Sequence, residues 1–118
     1  MILDDLFSAA AEFDTAKLAA IIDPDVRFTE LPNLINPAGT ERGADEALAG
    51  FRKGRELLSA QSYDVHSTLV DGDTIAARVT WHGTLAATGR ELTAHIATFT
   101  QVRGGKIYRH ATYDCYET

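Results

Sequence analysis

HIATFTQVRGGKIYRHATYDCYET, residues 95–118, decides how the fold is read. Apolar and polar side chains alternate on both sides of Gly104-Gly105, and a two-residue glycine connection suits a tight hairpin because its central positions favour positive φ. With Arg103 and Lys106 flanking the turn, Phe99 is expected to face His110, Ala97 to face Thr112 and His95 to face Asp114. Opposed side chains share a face. His95, Phe99, His110 and Asp114 are therefore expected on one side of the sheet. Ile96, Thr98, Val102, Ile107, Ala111 and Tyr113 are expected on the other.

Working back from this hairpin, the period of two persists to Gln61, predicting strands over 62–70, 74–85, 91–103 and 106–116. Asp71-Gly72-Asp73 and the loop 86–90 supply the other turns. Pairing Leu85 with Glu91 across that loop sets Trp81 opposite His95, with Ala77 and Val79 beside it; a slip of one residue sends Arg78 and His82 to that face instead.

The front half reads differently. Leu3, Leu6, Phe7, Ala10 and Phe13 recur at helical spacing, and Asp4 and Asp5 suit the positive end of the helix dipole. Asp14-Thr15 marks a break before a short helix to Ile22, which Pro24 ends. Val26, Phe28 and Glu30 alternate as a short strand. LPNLINPAGTERG, residues 31–43, is the one long irregular stretch, and a third helix is expected over 44–59. Three helices followed by a meander predict one α+β domain over residues 1–118. Its curved antiparallel sheet would be closed on one side by three N-terminal helices, forming a cone around an apolar pocket.

Composition narrows the function. Eleven basic against seventeen acidic side chains give a net charge of −6, which disfavours phosphate backbones, so no nucleic-acid partner is expected. No run of apolar residues approaches a membrane span. MILDDLFSAA carries acids where a secretion signal needs positive charge, and Cys115 is the only cysteine, so a reducing, cytoplasmic location is the expectation. The histidines and acids show no compact metal-ligand spacing, so neither a metal nor another cofactor is expected.

The segments FTELPN, WHGTL and GGKIYRHATYD, in that order behind three short helices, resemble the nuclear transport factor 2-like superfamily in its SnoaL-like branch. The resemblance covers nearly the whole chain and implies a cone-shaped fold, often dimeric, that serves both enzymes and non-catalytic binders. Ketosteroid isomerase has its base just before a proline on the first strand, close to the place of Glu30. The matching oxyanion donors are missing, with Leu6 near the tyrosine's place and His95 and Ala97 near the acid's, so steroid isomerisation is not expected. For the epoxide hydrolases, Arg78 matches the arginine, but Thr80 and Ala111 stand where its acids belong. Polyketide cyclases use an Asp of the last strand as acid/base, near the place of Asp114.

A His–Asp pair with a second carboxylate across an apolar pocket suits proton transfer. The expected scheme has His95 as acid/base, Asp114 orienting it, and Glu30 or His110 as a second proton carrier. Phe28, Trp81, Phe99 and Phe51 would wall the pocket around a small hydrophobic carbonyl compound undergoing isomerisation, cyclisation or dehydration. The competing expectation is a non-catalytic ligand-binding or accessory protein. Under either, the apolar outer sheet face predicts a homodimer.

Overall fold

A computed structural model describes residues 1–118. Helix α1, Ile2–Glu12, buries Leu3, Leu6, Phe7, Ala9 and Ala10 along one face. It ends at Phe13, which adopts the left-handed conformation at φ 53°, with its amide bonded to the Ala10 carbonyl. The Arg55 guanidinium donates to the Glu12 and Phe13 carbonyls at 3.2 and 3.1 Å, placing positive charge at the negative end of the helix. Asp14 caps helix α2, Thr15–Ile21, by accepting from the Lys17 amide at 3.0 Å. Helix α3, Ala44–Leu57, starts at Gly43, whose amide donates to Glu46 Oε1 at 3.1 Å.

Six strands follow the order β2-β1-β6-β5-β4-β3 in one curved, open sheet. They are β1 (Ile22–Glu30), β2 (Thr40–Arg42), β3 (Leu58–Asp71), β4 (Thr74–Leu85), β5 (Glu91–Arg103) and β6 (Lys106–Tyr116). Every pair is antiparallel except β1 and β6, which run parallel, so the sheet is mixed. Strand β2 lies inside the stretch expected to be irregular. It pairs with β1 over only three positions, from Phe28↔Arg42 to Glu30↔Thr40, too short a run to show a period.

The Gly104-Gly105 turn forms as expected, with φ of 58° and 76°. Arg103↔Lys106 and Val102↔Ile107 also pair as expected, but the register then shifts by one because Tyr108 is an extra residue on β6. Beyond it His110 opposes Thr100, not Phe99, and Asp114 opposes Ile96, not His95. The expected four-residue face is thereby split. His95 and Phe99 lie on the outer face, while Ile96, Thr98, Val102 and Ile107 turn toward the helices, Ile107 being fully buried. Ala111 and Tyr113 stay outside. On the other edge of β5, Trp81 opposes Ala94 rather than His95. Trp81 nevertheless faces inward, because the buried series Ile75, Ala77, Val79 and Trp81 holds β4 in place, leaving Arg78 and His82 outside.

The core joins α1 and α2 to the concave face through Leu3, Leu6, Phe7, Leu18, Ile22, Val26, Val79 and Ile107. Gly83 leaves its strand bare beneath the Trp81 ring, and a Cβ there would overlap the benzene edge of the indole. Gly83→Ala is therefore expected to cost about 1–3 kcal/mol by forcing the indole from its seat, read as a lowered urea midpoint with an altered Trp81 emission.

Candidate active site

The concave face, α1 and α3 enclose a cavity of about 290 Å³. Its lining combines apolar walls (Leu6, Phe28, Phe51, Val79, Trp81, Ile96) with polar side chains, Glu30, His110, Asp114 and Tyr116 among them. Of the residues expected at a site, Glu30, His110, Asp114, Phe28, Phe51 and Trp81 line it. His95 and Phe99 do not. His95 Nε2 meets Glu117 Oε2 at 2.6 Å on the exposed outer face, and Phe99 stacks edge-on against Tyr113 there. The Tyr108 bulge is the cause, since it reverses which β5 residues share a face with Asp114.

Asp114 is half-buried near the end of β6 and accepts a short hydrogen bond from the Thr112 hydroxyl. Burial raises its pKa above the usual carboxylate value; the Thr112 bond opposes that rise, and the nearby Glu30 charge adds to it. Tyr116, two residues on along the same face, has its phenol pushed up to about 12 by burial and then by the charges of Asp114 and Glu30. Tyr63 is raised further still, first by burial and then by Asp114. Both phenols are therefore protonated donors at neutral pH.

Glu30 ends β1 and is held by the loop that follows it. Asn33 Nδ2 and Asn36 Nδ2 both donate to Glu30 Oε2 at 2.7 Å, and Asn33 Oδ1 accepts from the Ile35 and Asn36 amides at 3.0 Å. The asparagines thus order the loop and fix the carboxylate at once. Trp81 Nε1 donates to Gln61 Oε1 at 2.9 Å while Gln61 Nε2 donates to the Ala10 carbonyl at 2.6 Å, so the indole is tied to α1. His110 is buried against Phe28, with Nδ1 2.8 Å from Thr100 Oγ1, and burial lowers its pKa to about 4. It is neutral at physiological pH and carries no positive charge into the cavity.

Sequence reasoning missed Tyr116, Tyr63, Gln61, Asn33 and Asn36. Tyr116 had a signal, since a residue two beyond Asp114 shares its face. The asparagines stood in the loop already singled out, but only a fold shows that both turn back onto Glu30. No three His, Cys, Asp or Glu side chains converge as a metal-ligand set.

Comparisons with known proteins agree with this architecture. The family model described as SnoaL-like domain matches residues 3–110. IdmH from Streptomyces antibioticus, a candidate polyketide cyclase, superposes with a TM-score of 0.78 at 23% identity, covering 95% of this chain and 88% of that one. An NTF2-like protein of unknown function from Burkholderia pseudomallei gives 0.80 at 19% identity, with 95% and 86% coverage. An LEH-like epoxide hydrolase of M. tuberculosis gives 0.79 at 13% identity, with 98% and 79% coverage. No curated protein is significantly similar in sequence.

The buried imidazole makes stability depend on pH in a predictable direction. His110 has a folded-state pKa below its ordinary 6.5, so the unfolded chain binds the extra proton first as pH falls. Its contribution is expected to be fully present above about pH 6.5 and lost toward pH 4, by up to about 3 kcal/mol. Urea melts across that range should show a flatter dependence for His110→Gln than for the wild type.

Proposed function

This chain belongs to the SnoaL-like domain family, and from that membership we propose that its cavity binds a small hydrophobic carbonyl compound and moves a proton on it, with Asp114 as acid/base. One observation carries the reading: Asp114 is a half-buried carboxyl facing the cavity, with its pKa raised by burial and by Glu30, beside a phenol that stays protonated. A base of raised pKa is better matched to carbon-bound protons than an ordinary aspartate. It takes a proton α to the substrate carbonyl, the Tyr116 phenol donates to the oxygen on which charge develops, and the same carboxyl returns the proton at a second carbon or to a departing hydroxyl. These outcomes correspond to isomerisation and dehydration; attack of the enolate on a second carbonyl gives cyclisation. Glu30 is the second carboxylate and His110 a neutral hydrogen-bonding partner. His95 has no part in the scheme. Phe28, Phe51 and Trp81 wall the site.

A non-catalytic ligand-binding protein is the second reading, favoured by the engagement of Glu30 with two asparagine amides, which leaves Asp114 as the carboxyl without an amide clamp. Both readings include a homodimer formed through the outer sheet face. Phe99 and Tyr113 are 48% and 50% exposed there and Leu69 is 75% exposed, an apolar patch that a self-complementary contact would cover. No helix is long and apolar enough to cross a membrane, and a cytoplasmic location would keep the exposed Cys115 thiol reduced.

Deuterium exchange at the α-carbons of phenylacetone, followed by proton NMR in D2O, separates the two readings. Wild-type protein should accelerate exchange and Asp114→Asn should lower that rate by about 100-fold or more, with Trp81 fluorescence still reporting binding. Binding without exchange establishes the binder reading, and undiminished exchange in Asp114→Asn removes Asp114 from its role. For the dimer, sedimentation should give twice the chain mass for the wild type and the single-chain mass for Phe99→Glu; a monomeric wild type at micromolar concentration overturns it.

A further inference from the structure

Arg42 lines the cavity from β2, on the same inward face as Phe28 and Glu30. The other half-buried arginines are engaged: Arg27 meets Glu41, and Arg109 donates to the Asp25 and Tyr108 carbonyls and to the Tyr108 hydroxyl. The Arg42 guanidinium has no carboxylate within 4 Å and no hydrogen-bond partner in the protein. Its diagonal neighbour across the β1–β2 pair, Glu30, makes no ion pair with it and instead takes the Asn33 and Asn36 amides on its Oε2. The Glu30 carboxylate is thus held by the loop rather than by Arg42.

Helix α3 makes room for the same group. Gly50 stands in the middle of a 14-residue helix, where glycine costs about 1 kcal/mol relative to alanine. A Cβ at Gly50 would overlap Arg42 Nη1, and no other atoms but those of the guanidinium come near it. A second unsatisfied group lies at the floor. Thr98 is 1% exposed and its hydroxyl has no partner, the sole buried side-chain polar atom of which that is true. Thr98 lines the same cavity, opposite Thr112 and one alternation from the Ile96↔Asp114 pair. Buried hydroxyls are almost always bonded, so an orphan on a residue that lines a cavity is a donor open to a ligand oxygen.

Together these groups describe a ligand. We propose that the cavity takes a small oxo-carboxylate, its carboxylate on the Arg42 guanidinium and its oxo oxygen accepting from the Thr98 hydroxyl alongside the Tyr116 phenol, with an apolar body against Phe28, Phe51 and Trp81. The planar guanidinium fork matches a carboxylate. A phosphate dianion would call for more positive charge than one arginine beside two acids. The proposal deepens the acid–base reading and rests on it, since an oxo oxygen at Thr98 brings the adjacent carbon toward Asp114.

Trp81 is the only tryptophan, so its fluorescence reports the cavity alone. The probes are 4-oxo-4-phenylbutanoate and its methyl ester, which differ in the charge that Arg42 would read. Wild-type protein should bind the acid at least about tenfold more tightly than the ester, the range of a charge-assisted hydrogen bond. Arg42→Gln should abolish that preference. Gly50→Ala, which keeps the charge but displaces the guanidinium, should narrow it while the melting temperature is held or raised. Thr98→Val should weaken acid and ester alike. Equal binding of the two probes by the wild type, a preference that survives Arg42→Gln, or no fluorescence response to either overturns the proposal. Phenylacetone exchange is scored separately: Asp114-dependent exchange without acid preference retains the acid–base reading and discards the oxo-carboxylate. Acid preference without exchange does the reverse.

Discussion

The placement of Tyr108 sets the relation between the sheet and everything packed on it. As one residue too many for the β5–β6 ladder, it turns the rest of β6 by one position, and that turn brings His110, Thr112, Asp114 and Tyr116 onto the concave side. The surroundings hold the bulge firmly. The Arg103 and Arg109 guanidinium carbons each lie 3.7 Å from the Tyr108 ring centroid, within cation–π range. Arg103 also grips Asp23, whose pKa is lowered by the Asp25 amide and then by that arginine, and Arg109 bonds the Asp25 carbonyl. Strand β1 has its own irregularity at this level, between Ile22↔Ile107 and Arg27↔Arg109. The two interruptions face each other, so one cluster of arginines, acids and a tyrosine registers both strands that carry the candidate carboxylates.

The cavity that results favours the neutral forms of the groups buried in it. Burial makes the charged form costly for His110, Tyr63, Tyr116 and Asp114, but the direction of the shift differs between base and acid. His110 loses its proton and the two tyrosines retain theirs, while the Asp114 equilibrium moves toward the neutral acid. His110 and Asp114, shifted by the same burial, therefore pull stability in opposite directions. A raised Asp114 pKa favours the fold below the ordinary carboxylate value and is lost as pH rises through the folded one; the His110 contribution is lost as pH falls. An aspartate retained at a position where ionisation opposes folding is a cost that a purely structural core would avoid.

The extent to which this was legible in the sequence follows from the length scale of each signal. Hairpins announced by glycine turns, and the switch from a helical period to a period of two, are features of many residues, and they predicted the elements and the family resemblance. Trp81 is legible as inward because it continues the apolar alternation Ile75, Ala77, Val79, three residues that the fold buries. Register beyond Tyr108 depends on one residue, and nothing in YRHATYDCYET marks which position is extra. His95 and Phe99 went to the wrong face for that reason. Strand β2 and Arg42 were hidden because three residues cannot display an alternation, and the Asn33 and Asn36 contacts with Glu30 exist only once the loop has folded back.

Two glycines show how the cavity draws on the rest of the fold. Gly50 weakens a helix interior and Gly83 weakens a strand interior, and neither has a positive φ to require it. Each instead lies against one side chain of the cavity, Arg42 in the first case and Trp81 in the second. Local propensity alone would favour alanine in the helix and a β-branched residue in the strand. Where a sequence departs from local preference at two separated sites, and both departures give space to neighbours in one cavity, the shape of that cavity is the common constraint. The turns have no such pattern: Gly104 and Gly105 at the β5–β6 turn, like Gly72 and Gly89, have a positive φ and open space where a Cβ would be, and serve the backbone alone.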